Sequence, residues 1–230
     1  LEWYRTEVDY HTMMADCADL LHVAATAIDA PAFRQGDLTL AADQAPQEIA
    51  VAEAFDRFAN IDLRATYTTE TTDREALRLA AAAVSIRTAP DDSWSDIYTR
   101  ILVEKVEPHL GRDAATFLRD YPIHEAALAA PSSADPMIAE RFELYLCGLE
   151  LANAFTELAD PAEQRRRFEA DMAEKQRIYG ERYPIDEDFL AALAHMPAAA
   201  GCAMGFDRLV MLATGAQRID DVLWTPLKLD

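Results

Sequence analysis

Carboxylates set inside apolar, strand-like sequence are the first sign of chemistry. Glu143 lies within Phe142-Glu143-Leu144-Tyr145, Glu150 within Leu149-Glu150-Leu151, and Glu157 within Phe155-Thr156-Glu157-Leu158. Desolvating a lone carboxylate is costly, so several on one sheet imply a cation, a polar cleft or simply a water-facing strand surface. Strand alternation sets Leu151, Asn153, Phe155 and Glu157 on one face, with Glu150, Ala152, Ala154 and Thr156 on the other. An amide, an aromatic ring and a carboxylate on one face suit a substrate bearing an ammonium group. The ring offers a wall and a cation–π partner, and the carboxylate offers the opposite charge. Glu2 and Tyr4 share a face of the segment Leu1 to Arg5; on a neighbouring strand they would complete a set of five converging groups. Gly201 to Val210 is the second suggestive stretch. Its glycines permit close backbone approach, and Arg208, just inside a helix start, suits a polyanion.

Other polar residues are read as structural. His11, His22, His109, His124 and His195 have no metal-ligand or triad spacing, although His124, after the Tyr121-Pro122 corner, could border a cleft. Cys17, Cys147 and Cys202 are too far apart in sequence for a zinc or CxxC motif and suit a reducing cytoplasm. Arg165, Arg166 and Arg167 fall among Glu163, Glu169 and Asp171, as helical ion pairing requires.

These groups must be positioned by strands and amphipathic helices. Leu1 to Arg5 alternates as a strand does. Apolar residues from Met13 to Ala24 recur at helical spacing over about Asp9 to Ile28, with Thr6 as the expected cap and Pro31 as the stop. Short strands or loop follow over residues 36–51, then a short helix from Val51 to Phe58 and another from Asp73 to Ile86. Ser93 caps a helix reaching about Val106, and Thr116 to Leu118 reads as a strand. The stretch 140–158 alternates on both sides of Gly148, the mark of a hairpin. A charged helix opens at Pro161, a short one at Asp186, and Ala199 to Met204 is a buried strand feeding an apolar helix from Phe206 to Ala213. Helices interleaved with scattered strands and hairpins, without βαβ rhythm, predict an α+β domain with an antiparallel sheet flanked by helices. The absence of GxGxxG and GxxxxGK[ST] disfavours Rossmann and P-loop sites.

Composition narrows the function classes. The chain has 230 residues, with 41 acidic against 21 basic side chains and a formal net charge of -20. Phosphate backbones need clustered Lys and Arg, so unaided binding to DNA or RNA is disfavoured. Only Lys105, Lys175 and Lys228 are lysines, which opposes a polybasic membrane patch. No apolar run reaches the roughly 18 residues of a membrane span.

Together, these segments resemble the catalytic domain of class II aminoacyl-tRNA synthetases of the lysyl type. Gly201 to Leu212 resembles motif 3 of that class. Arg141-Phe-Glu-Leu-Tyr and Gly148-Leu-Glu-Leu-Ala-Asn-Ala-Phe-Thr-Glu-Leu resemble the hairpin that carries its metal and amino-acid ligands, and Leu1 to Arg5 resembles the second strand of motif 2. Within the class the likeness is to the stand-alone paralogues, the elongation factor P–(R)-β-lysine ligases. Those have Ala at the position of Ala203, where lysyl-tRNA synthetases typically have Gly.

The resemblance implies that Glu143 and Glu150 hold Mg²⁺ on the phosphates of ATP and that Arg208 contacts ATP as a catalytic residue. It implies that Glu2, Tyr4, Asn153, Phe155, Glu157 and Ala203 form the amino-acid pocket. It further implies ATP-dependent activation of lysine or (R)-β-lysine as an adenylate, with transfer to a lysine of elongation factor P and no tRNA or membrane partner. Residues 1–230 would be a single cytoplasmic catalytic domain without motif 1 or the first strand of motif 2, where the phosphate-clamping arginine lies; a homodimer is compatible. The alternatives are a lysyl-tRNA synthetase fragment and an inactive synthetase-like paralogue. Ala154-Phe155-Thr156 departs from the family's Gly-Phe-His.

Overall fold

A computed structural model describes residues 1–225. Strand β1 (Glu2–Thr6) leads into α1 (Tyr10–Ala27), whose Met13, Cys17 and Leu21 recur at helical spacing and are buried. Its cap is Asp9, not Thr6: the Asp9 carboxylate accepts from the His11 amide at 3.0 Å, while Thr6 still pairs with Ala199 as the last residue of β1. A cap must stand at the first helical turn, and the strand runs further than its apolar alternation indicated.

A small hairpin follows, β2 (Ala32–Gln35) with β3 (Leu38–Ala41), then β4 (Gln47–Ala50) and α2 (Val51–Ala54). Helix α3 (Arg74–Ala83) precedes α4 (Trp94–Ile101), which begins with a capping box between Ser93 and Asp96. The helix expected to reach Val106 is α-helical only to Ile101 and continues as a wide π turn over Leu102–Val106. Strands β5 (Thr116–Pro122), β6 (Ile138–Leu146) and β7 (Leu149–Thr156) are followed by α5 (Pro161–Tyr179), α6 (Glu187–Leu193), β8 (Ala199–Met204) and α7 (Phe206–Thr214).

Six strands form one sheet in the order β1-β8-β7-β6-β5-β4, antiparallel except for the parallel pair β4–β5. The fold is α+β. Turn chemistry sets the central hairpin: Leu146 pairs with Leu149, and the two residues between them, Cys147 and Gly148, both have positive φ. Two positive φ values describe the primed turn whose twist matches paired strands.

The two faces of the sheet are covered unequally, and that places the cleft. One face is sealed by α1 and α7, which join Phe142, Leu144, Leu151, Ala154 and Cys202 in a continuous core. On the other face α2 to α4 cover the β4–β5–β6 end, packing Phe55, Trp94 and Tyr98 with Leu118, Tyr121 and Tyr145. At the β1–β8 end of that second face, Tyr4 is 59% exposed and Ala203 is also exposed. A groove floored by β1, β8 and β7 therefore lies beside a helical wall.

Candidate active site

Strand register builds the site in rows. Glu2 pairs with Ala203, Ala203 with Asn153, and Asn153 with Glu143 across β1, β8, β7 and β6. The next row is Tyr4, Gly201, Phe155 and Arg141. Side chains directly opposite across a ladder share a face. Glu2, Tyr4, Asn153, Phe155 and Ala203 are thus brought together by backbone pairing, with Glu157 one step along β7.

The β1–β8 end of this groove is acidic and close-fitted. The Tyr4 ring lies over Gly201, where an added Cβ would meet Tyr4 Cε1 at 2.5 Å and Glu157 Oε1 at 2.8 Å. Glycine is thus required by space, since a methyl group would fill the volume that Tyr4 and Glu157 occupy. The Tyr4 hydroxyl donates to Glu2 Oε1 at 2.5 Å, and this bond, with lesser contributions from burial and the charges of Glu2 and Glu157, raises its pKa to about 12. Burial, followed by the charge of Glu2, pushes Glu157 up to about 7. Burial of Glu157 beside the charge of Glu2 produces this shift, and an ammonium group placed there would oppose it.

Glu150 requires a correction. Simple alternation put it opposite Asn153, Phe155 and Glu157, but the β6–β7 register slips between Leu144 and Tyr145. Leu151 is the extra residue of a bulge, so Leu151 and Ala152 both belong to the core and Glu150 pairs with Tyr145 on the cleft side. One residue of slip reverses the face of everything beyond it.

The other end of the groove is a cavity of about 360 Å³ lined by Glu107, Tyr145, Glu150, Arg208 and Gln217, among others. Arg208, in the first turn of α7, is held over the start of β7 by donating Nη1 to the Glu150 carbonyl at 2.6 Å. Glu143 accepts from Arg141 Nη2 at 2.7 Å and from the Tyr145 hydroxyl at 2.8 Å. Glu150 is raised above the ordinary carboxylate range, first by desolvation and then by the charge of Glu143. Glu107 is raised for the same two reasons.

Among the described residues no group of three or more His, Cys, Asp or Glu side chains gathers around a metal position. Mg²⁺ does not require one, because it is commonly held by one or two carboxylates with phosphate oxygens and water. Glu143 and Glu150 fit that mode. Each Glu143 oxygen keeps a second lone pair beyond its hydrogen bond, and a cation beside Glu150 would offset both its desolvation and the charge of Glu143 that raise it.

Glu107 and Arg141 were given no role by the sequence. Glu107 lies outside the hairpin, so strand parity could not find it. It arrives through Gly111, whose close approach to the Tyr145 backbone leaves only 2.7 Å for an added Cβ and whose carbonyl accepts from Gly148 N at 3.1 Å. Arg141 directly precedes Phe142-Glu143; a charge two residues from a carboxylate on one strand face was the available signal. His124 is instead tied to Thr68, with a ring nitrogen 2.8 Å from that carbonyl, and packs edge-on to Tyr67 and Trp94. Arg166 and Arg167 pair with Glu163, and Arg165 reaches Glu187. All three cysteines are free and buried.

Comparison with known proteins extends this geometry. The family model described as tRNA synthetases class II (D, K and N) matches residues 1–228. Elongation factor P–(R)-β-lysine ligase of Proteus mirabilis (strain HI4320) is 38% identical over 99% of this chain and 64% of its own length. The protein of that name from Hamiltonella defensa subsp. Acyrthosiphon pisum (strain 5AT) is 35% identical over 99% of this chain and 64% of its own. That of Pectobacterium carotovorum subsp. carotovorum (strain PC1) is 36% identical over 97% and 63%. The chain therefore spans just under two thirds of the length of these relatives. With the family model covering nearly every residue and the motif residues lining one groove, this chain belongs to the class II tRNA synthetase family (D, K and N).

Proposed function

We propose that the protein is an ATP-dependent ligase that activates (R)-β-lysine or lysine as an adenylate and passes it to a lysine of elongation factor P. The observation that carries this reading is the pair of strand rows Glu2–Ala203–Asn153–Glu143 and Tyr4–Gly201–Phe155–Arg141, which set an acidic pocket beside a nucleotide-sized cavity. Glu157 and Glu2 receive the substrate's ammonium groups, Phe155 walls the chain, and Asn153 orients it. Arg208, beside Glu150, meets the polyphosphate. Magnesium bound between Glu143, Glu150 and phosphate oxygens would neutralise charge on the nucleotide.

The substrate carboxylate attacks the α-phosphorus in line, the bond to the bridging oxygen breaks, and pyrophosphate leaves. The ε-amine of the acceptor lysine then attacks the acyl carbon, loses a proton and expels AMP. Positioning and charge neutralisation suffice, so no protein nucleophile is needed. In this reading residues 1–230 form a single catalytic domain. The free, buried thiols favour a reducing cytoplasm. A net charge of -20 favours a protein acceptor over tRNA.

Ala203 supports the amino-acid choice. It faces the groove between Glu2 and Asn153, where a methyl group raises the pocket floor. One such group is worth about 1–3 kcal/mol of discrimination. Amino-acid-dependent ATP–pyrophosphate exchange on the full-length protein tests the proposal. The expected result is exchange driven by (R)-β-lysine more than by lysine, with Ala203→Gly moving the ratio towards lysine by about tenfold. Preference for lysine with charging of tRNA would replace this reading with a lysyl-tRNA synthetase, and no exchange with any diamino acid would point to an inactive paralogue.

A further inference from the structure

Arg141 touches both halves of the groove. Its Nη2 donates to Glu143 Oε1 at 2.7 Å on the nucleotide side, and its Nε donates to Asn153 Oδ1 at 3.3 Å on the amino-acid side. Nη1 is anchored on the Glu125 carbonyl at 3.1 Å, and the guanidinium carbon lies 4.2 Å from the centre of the Tyr121 ring. The Glu125 carboxylate is itself tied to the Ser95 hydroxyl at 2.6 Å. A guanidinium is a planar fork, so its N–H groups cannot be re-aimed one at a time. Held at the carbonyl and on the ring, it can answer a change at Glu143 only by moving the bond it makes to Asn153.

We propose that Arg141 is a positioning residue that couples the two half-sites, so that filling the nucleotide cavity tightens binding of the amino acid and the reverse. The inference rests on the functional reading above. Glu143 spends one oxygen on Arg141. When that carboxylate also faces a cation and phosphates, the guanidinium shifts towards Asn153, whose 3.3 Å bond has room to shorten. Asn153 is then fixed in the orientation that meets the substrate. A lysine at this position would be a point charge on a flexible stem and would serve one acceptor at a time.

Binding calorimetry on the full-length protein tests this, using a non-hydrolysable magnesium ATP analogue and (R)-β-lysine or lysine. In the unsubstituted protein the analogue tightens amino-acid binding about fivefold or more, and the amino acid tightens the analogue by the same factor. In Arg141→Met the factor falls below about twofold while each ligand alone still binds, and Arg141→Lys restores it only in part. Asn153→Ala, which removes the acceptor of the Arg141 Nε bond, lowers amino-acid affinity and also removes the coupling. Arg141→Met with the factor intact, or an unsubstituted protein that binds both ligands independently, overturns the inference. A merely structural role would lower the melting temperature and the active fraction without moving the factor. An unsubstituted protein that binds no diamino acid sinks the functional reading itself, which separates the two failures.

Discussion

Glu157 titrates where its environment shows most clearly. In an unfolded chain it ionises near the ordinary glutamate value of about 4.3; in the folded protein burial and Glu2 hold it at about 7. Between those values the folded state keeps a proton that the unfolded state has released, so stability falls as pH rises through that window. Glu157→Gln removes the penalty. At pH 8 the variant is expected to be more stable than the parent by about 1–2 kcal/mol after allowance for partial exposure, and urea unfolding across pH 4–8 measures it. The same carboxylate must be ionised to receive an ammonium group. The kcat/KM for the amino acid should therefore rise with pH up to about 7 in the parent and stay low and flat in the variant, while KM for ATP is little changed. A pH profile shared by both proteins would remove Glu157 from the pocket. The residue types marked this cluster as suited to an ammonium group, although a water-facing strand surface fits the same alternation. The shift itself was not legible, since it depends on Glu2 from a strand some 150 residues away in sequence.

The strand that matters most among the elements is β8, which carries no charge. Two of its cleft-facing positions are small: Gly201 sits between Tyr4 of β1 and Phe155 of β7, and Ala203 between Glu2 and Asn153. Gly201 has no positive φ, so alanine suits its backbone, but the added Cβ would press on Tyr4 and Glu157. Gly201→Ala is expected to raise KM for the amino acid at least tenfold, equivalent to about 1.4 kcal/mol, with a smaller effect on ATP. Steady-state kinetics against each substrate checks it, and equal losses for both would show general distortion of the strand. Element types were legible where periodicity was long: α1, α5, the β6–β7 hairpin and the β8–α7 unit follow from alternation, helical spacing and the Cys147-Gly148 turn. The bulge at Leu151 was not, because an extra residue in a ladder is decided by the partner strand and leaves no mark in the alternation of one. The Asp9 cap was missed because both Thr6 and Asp9 have capping side chains; how far β1 pairs with β8 decides between them.

At the scale of the molecule two electrostatic effects compete. A formal charge of -20 makes the folded surface repel itself, and salt should screen that repulsion. Exposed pairs such as Arg78–Glu75 and Arg177–Glu174 are weakened by the same salt, but each contributes little in water. Repulsion is spread over the whole chain, so it should win. Raising salt from about 0.01 M to 0.15 M is expected to lift the melting temperature by about 2–4 °C, read by calorimetry. A fall would show that ion-pair networks dominate.

By itself the sequence determined the local matters: which segments are helix or strand, the turn of the central hairpin, the acidic surface, and the residue types able to bind an ammonium group and a polyanion. These depend on neighbours a few positions apart, through steric preference, alternation and composition. Only the tertiary structure decided that β8 lies between β1 and β7, that a bulge turns Glu150 into the cleft, that Gly111 brings Glu107 to Tyr145, and that Arg141 bonds to both Glu143 and Asn153. Each of these is a pairing between residues remote in the chain. Strand order and register are chosen by the free energy of burying two unequal sheet faces at once, which no single stretch of sequence contains.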